Sequence, residues 1–194
     1  MQIKFFKLLP WISLVLALLF FSKSGYLYLK SELAQVFIAK AWQQVLIDAN
    51  LTQAKPWSWA DTYPIAKITS NKHNKSLYIL EGTSGEALAF GPGHYEGTAL
   101  PAADGDSVIA GHRDSHFSFL RDVKIGDTFS VQNYKKAEAL YLINEIKIID
   151  SAKNNIEIKE NTNRLQLITC YPFDAISSGG SLRYIVYAKR MDEL

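Results

Sequence analysis

The chain reads as a mainly β protein, a closed or nearly closed antiparallel barrel or sandwich, and three observations carry that reading. Seven short segments rich in β-branched and aromatic residues succeed one another after residue 60. Asn, Gly, Asp and Lys separate them, which are residues of tight turns. Sustained helical periodicity occurs only upstream of these segments, so the strands must pair with one another.

The elements follow in order. Leu8 to Phe21 is uncharged and apolar apart from Ser13, with Lys4 and Lys7 before it and Lys23 after it. Fourteen residues is the length of a signal-peptide apolar region and short of the roughly twenty that a bilayer core prefers. Ser22 and Ser24 have the size that a cleavage site favours. Phe5 and Phe6 lengthen the apolar stretch, Lys7 and Lys23 can snorkel, and Tyr26 and Tyr28 suit an interface, all of which favour an uncleaved anchor. Residues 1–24 are therefore a membrane anchor or a signal peptide, and lysines on both flanks leave its orientation open.

Residues 25–60 form a second region. From Ser31 to about Asp48, Leu33, Val36, Phe37, Trp42, Val45 and Leu46 recur at the spacing of an amphipathic helix, whose apolar face must dock on a barrel, a membrane surface or a partner. KPWSWADTYP then breaks the period and reads as a linker. The third region, 61–194, holds the strands: Ile65–Thr69, Leu77–Leu80, Ser107–Ala110, Thr128–Val131, Leu140–Asp150, Leu165–Cys170 and Leu182–Ala188.

Composition narrows the function. After its leading segment the 194-residue chain holds one core of ordinary size. Its formal charge of +2 conceals a split: residues 1–60 carry six lysines against two acids, and residues 61–194 carry fifteen basic against seventeen acidic residues. A nucleic-acid binder concentrates positive charge on its folded domain, so no nucleic-acid partner is expected.

Cys170 is the only cysteine and ends the apolar run LQLITC, just before Tyr171 and Pro172. A lone thiol cannot form an internal disulfide, so Cys170 is either an inert buried residue or a nucleophile. Two segments favour the nucleophile. In GDSVIAGHRDSHF, His112 follows a short strand; in SLRYIVYAKR, Arg183 lies thirteen residues after Cys170, so two antiparallel neighbours can bring both to one sheet end. A thiol, a histidine and a fixed cation for an oxyanion suffice for acyl transfer through a thioester.

The segments Gly111 to Arg113, Leu167 to Cys170 and Arg183 together resemble three signatures of the sortases, membrane-anchored cysteine transpeptidases, in order and in strand context. The runs at Pro56 to Pro64, Leu88 to Pro101 and Cys170 to Tyr184 resemble the subgroup of Gram-negative, often marine, proteobacteria. The resemblance runs from about Trp42 to the C-terminus. It implies a closed eight-stranded β-barrel with short helices behind an anchor and an amphipathic helix, held single-pass in the cell inner membrane with the catalytic domain on the periplasmic side. Asp106-Ser107 stands where many sortases carry Gly-Asn, and with Asp104 it reads as turn chemistry.

What the resemblance implies chemically is attack by Cys170 on an LPXTG-like sorting motif of a substrate protein, proton transfer by His112, stabilisation by Arg183, and delivery of the acyl group to an unidentified amine acceptor. Strand alternation sets Arg183, Ile185 and Tyr187 on one face, so Arg183 begins a face that is otherwise apolar. Thr169 points away from the thiol and reads as packing, with its backbone bordering the substrate. Arg113 and Asp114 read as turn residues that orient the loop, His116 as a supporting or solvated residue, His94 as shaping the loop before the histidine strand, and His73 as a hairpin-turn residue.

No cofactor is expected. Four histidines without pairing and one cysteine do not make a zinc set. Some sortases bind calcium, but Glu81, Glu86, Asp150, Glu157 and Glu160 lack EF-hand spacing. A cysteine peptidase that passes the same intermediate to water, and a membrane-tethered binding module that no longer reacts, stay open beside the transpeptidase. The SHGC-type segment of L,D-transpeptidases is absent.

Overall fold

The computed structural model describes residues 10–11, 13–14, 30–48, 50–159, 162–177 and 179–191. The chain divides into two compact units, residues 1–37 and 38–194. Most of the apolar run from Leu8 to Phe21 lies outside the described residues. Among the described residues no helix is long and apolar enough to cross a membrane.

Residues 30–47 form helix α1. In its first part Leu33, Val36 and Phe37, expected on the packing face, are exposed. From Ile38 onward the buried positions are Ile38, Ala41, Trp42 and Val45. Trp42 and Val45 were expected on the packing face, and Ile38 and Ala41, each four residues before one of them, complete it. Ile38 packs with Leu80 and Ala87, and Ala41 and Val45 with Ala54. The linker also packs: Trp57 meets Phe90 edge-on at 5.0 Å, and the Thr62 hydroxyl donates to the Glu81 carbonyl.

The strands are β1 (Pro64–Ser70), β2 (Lys75–Glu81), β3 (Gly93–His94), β4 (Ser107–Ala110), β5 (Thr128–Asn133), β6 (Glu138–Asp150), β7 (Arg164–Cys170) and β8 (Leu182–Met191). They close a barrel in the order β1-β2-β3-β4-β7-β8-β6-β5. The expectation of a purely antiparallel barrel is corrected at two places, since β2 pairs β3 and β4 pairs β7 in parallel. A parallel pair needs a crossover. The first is supplied by α2 (Gly85–Phe90), capped by the Ser84 hydroxyl accepting from the Ala87 N–H, and the second by β5 and β6. The eighth strand, β3, is two residues long and carries no local signal. A Cβ on Gly93 would lie 2.2 Å from the Gly82 carbonyl oxygen, so only glycine fits there.

Alternation sorts each strand's side chains. Ile68, Ile79, Ile109, Phe129, Val131, Leu165, Leu167, Val186 and Ala188 fill the interior. On β6 the inward parity changes from Tyr141 and Ile143 to Ile146 across a bulge between Ile143 and Glu145. On the outer surface Val108, Ile168, Ile185 and Tyr187 form a second apolar cluster, with Ile149 against it.

Candidate active site

The outer cluster is the floor of the site. Ile168 pairs with Ile185 and Cys170 with Arg183 across β7 and β8, and residues directly opposite in a ladder share a face. Cys170, half-buried, and Arg183 therefore stand at one end of the apolar floor. Arg183 is tied down there by its Nη1, which donates to the carbonyls of Gly180 at 2.6 Å and Leu182 at 2.9 Å.

His112 reaches the same end through β4. Ala110 is level with Ile168 in the parallel ladder, and His112 follows two residues later, just beyond the end of β4 that lies toward Cys170. Both polar groups that link Gly111 to its neighbours are held by β7. The Gly111 N–H donates to Ile168 O at 3.0 Å, and the Thr169 hydroxyl donates to Gly111 O at 2.7 Å. A Cβ at Gly111 would come within 2.7 Å of the Phe117 ring, so glycine lets the buried Phe117 pack under the histidine turn. His112 itself is exposed.

Arg113 does more than complete a turn. Its Nη2 donates to Ala175 O and Ser177 O, both at 2.8 Å, which fastens the histidine segment to the β7–β8 loop. That loop is also braced by aromatic contacts: Tyr171 stacks on Tyr184 at 6.1 Å, Phe173 meets Tyr184 edge-on at 5.1 Å, and Arg121 lies over Phe173 at 5.5 Å. Beside the loop is a cavity of about 540 Å³ whose lining includes Arg113, Asp114, Arg121 and Phe173.

The other histidines separate. Burial holds the His116 pKa below the usual histidine value and the neighbouring His112 adds to this, against a backbone hydrogen bond with Ala89 and the Asp114 carboxylate. His116 thus links the histidine loop to α2. His94 is buried in β3, its Nδ1 3.2 Å from Glu81 Oε2 and its Nε2 3.0 Å from both Ala99 O and Thr98 Oγ1. It braces the loop before β4 and is not brought to the end of the floor where Cys170 stands. His73 pairs with Asp127 at 3.0 Å, a contact beyond its place in the hairpin turn.

Asp106, expected as a turn residue, is a buried carboxylate that grips the segment leading into β7. A sequence carries one signal for this, an acid beside an apolar strand, and that signal does not say which segment returns to it. Among the described residues no group of three or more His, Cys, Asp or Glu stands close enough to hold a metal ion.

Residues 68–191 match the family described as Sortase, the sortase domain. Sortase D of Bacillus subtilis strain 168 is 35% identical over 121 residues, which is 62% of this chain and 60% of that protein. The chain thus matches less than two thirds of that relative's length. Among solved structures, sortase C1 of Streptococcus agalactiae superposes with a TM-score of 0.57 at 27% identity, covering 66% of this chain and 67% of the other. Sortase A of Corynebacterium diphtheriae does so with a TM-score of 0.60 at 25% identity, covering 82% and 85%. With the family's domain spanning more than half its length and its barrel closed in full, the chain belongs to the sortase family.

Proposed function

We propose that this protein is a cysteine transpeptidase of the cell envelope, with Cys170 as nucleophile, His112 as general acid and base, and Arg183 as the donor to the oxyanion or to neighbouring substrate carbonyls. The observation that supports the reading is the register of β7 and β8, which pairs Cys170 with Arg183 at one end of an apolar surface, together with the β4–β7 ladder, whose last pair, Ala110 with Ile168, lies two residues before His112.

The Cys170 thiolate attacks the carbonyl carbon between the Thr and Gly of an LPXTG-like motif. The tetrahedral oxyanion meets the Arg183 guanidinium, whose rigid fork holds geometry better than an ammonium. As the C–N bond breaks, imidazolium His112 gives its proton to the departing amine, leaving a thioester on Sγ. An incoming amine loses a proton to His112 as it attacks the thioester carbonyl, and the thiolate leaves. Arg183 keeps three N–H groups besides the Nη1 pair that its loop carbonyls engage. The substrate is a protein with a C-terminal sorting signal.

The apolar run from Leu8 to Phe21 supports an anchor in the membrane. The inner membrane and a periplasmic barrel are what the resemblance to sortases implies, since the lysines on both flanks do not choose a side. The test is intact mass of the detergent-solubilised full chain incubated with LPXTG-like peptides, with and without hydroxylamine, beside Cys170→Ala. The expected result is an acyl adduct on the wild type only, released as a hydroxamate. An adduct that persists on Cys170→Ala overturns the assignment. Release to water at an unchanged rate when amine is added makes the protein a peptidase.

A further inference from the structure

The connection from β6 to β7 is not a free loop. It leaves β6 at Asp150, whose ladder partner Leu182 is next to Arg183, and enters β7 at Arg164, at the opposite end of the strand from Cys170. β8 lies between β6 and β7 in the barrel, so the chain must pass across it. Where it arrives, one carboxylate gathers it. Asp106, 3% exposed, accepts from the Lys159 N–H at 2.8 Å, the Thr162 hydroxyl at 2.6 Å, Arg164 Nη2 at 2.6 Å and Nε at 3.2 Å, and Gln166 Nε2 at 3.1 Å. Arg164 and Gln166 also donate to the Glu157 carbonyl, at 3.0 and 2.9 Å.

These contacts fix where the segment stands. Gln166 lies on the same face of β7 as Ile168 and Cys170, and its ladder partner Tyr187 belongs to the apolar floor. The Arg164 guanidinium covers the Tyr187 ring at 4.8 Å. Glu157 and Lys159 are therefore held at the far end of the floor, four positions along β7 from the thiol, about 13 Å at the rise of a strand. Ile156 and Ile158 on this segment keep exposed side chains.

We propose that Asp106 is a positioning residue that fastens residues 157–159 as a standing wall across the floor, so that the part of an extended substrate leading to the scissile bond meets a surface already ordered. The wall's role in substrate binding rests on the function proposed above; the fastening itself does not. A buried carboxylate satisfied by five N–H and O–H donors holds its partners more firmly than solvent-exposed loop contacts do. Ordering the wall before binding spares the substrate the entropy of ordering it.

The test uses the full chain in detergent, with Asp106→Asn and the milder Thr162→Val, and three readouts: amide exchange at Glu157 to Lys159, alkylation of Cys170 by iodoacetamide, and kcat and KM for an LPXTG-like peptide. In Asp106→Asn the amides are expected to exchange on the order of 100-fold faster and KM to rise about 10-fold, with alkylation within about twofold of wild type. Thr162→Val moves exchange and KM the same way by about 2- to 5-fold, and carries the test if Asp106→Asn does not fold. Unchanged exchange overturns the proposal, as does faster exchange with KM unmoved. If the wild type takes no peptide, the proposed function fails and the exchange readout alone decides the assignment of Asp106.

Discussion

The Thr169 hydroxyl donates to the Gly111 carbonyl at 2.7 Å, joining the residue before Cys170 to the residue before His112. Thr169 faces inward, so this bond works from beneath the sheet while the thiol, one residue on, lies on its outer side. A single hydroxyl thus couples the end of β7 that carries Cys170 to the segment after β4 that carries His112.

Thr169→Val keeps the shape and removes the donor, leaving a carbonyl that lacks a partner. Stability is expected to fall by about 1–3 kcal/mol, and kcat/KM with a sorting peptide about 10-fold, while Thr169→Ser retains most of both. Thermal denaturation alongside peptide kinetics checks this. Equal kinetics for Val and Ser would show that the bond serves packing alone.

Arg183→Ala is expected to lower kcat on the order of 100-fold with alkylation of Cys170 retained, because a donor to the oxyanion acts in the transition state. Arg183→Lys restores only part of the rate, since an ammonium cannot hold two loop carbonyls and reach the substrate in fork geometry. Single-turnover acylation distinguishes the two variants.

Arg113→Met releases the Ala175 and Ser177 carbonyls from the histidine segment. Limited proteolysis is expected to cut residues 174–177 faster than in wild type, and acylation is expected to slow about 10-fold as the loop beside the thiol loosens. A proteolysis pattern identical to wild type would remove Arg113 from this role.

Asp127 sets an acid limb of stability. Lys72 lowers its pKa to about 2, with His73 and the Lys124 N–H assisting against burial. A carboxyl depressed in the folded state stabilises above its unfolded value of 3.8 and loses that contribution as pH falls toward 2. The thermal midpoint is expected to drop between about pH 4 and pH 2 in wild type and to change less over that window in Asp127→Asn. A steeper drop in the variant would assign the acid limb elsewhere.

Legibility followed the range of the cause. Cys170, His112 and Arg183 stood out because three short motifs that resemble sortase signatures carry them, each at or just beyond a strand end, and the ladder of β7 with β8 joins neighbours in sequence. The strand β3 was hidden because Gly93 and His94 have no strand propensity; it exists because Gly93 pairs with both Leu80 and Ala110 while passing so close to the Gly82 carbonyl that only glycine fits. The face of α1 is legible in Trp42 and Val45 but not in Ala41, because the burial of an alanine depends on the partner surface. Asp106 reads locally as a turn residue because its donors lie fifty to sixty positions downstream.

By itself the sequence determined a β-rich region after a lysine-flanked apolar run, the one thiol, and the faces that the strands would present, since side-chain alternation is a property of the local backbone. Only the tertiary structure decided which strands neighbour each other in parallel, which carbonyls Thr169 and Arg113 hold, and where the segment before β7 comes to rest. Those contacts join residues far apart along the chain, and their free energy appears only once the barrel has closed and brought them together.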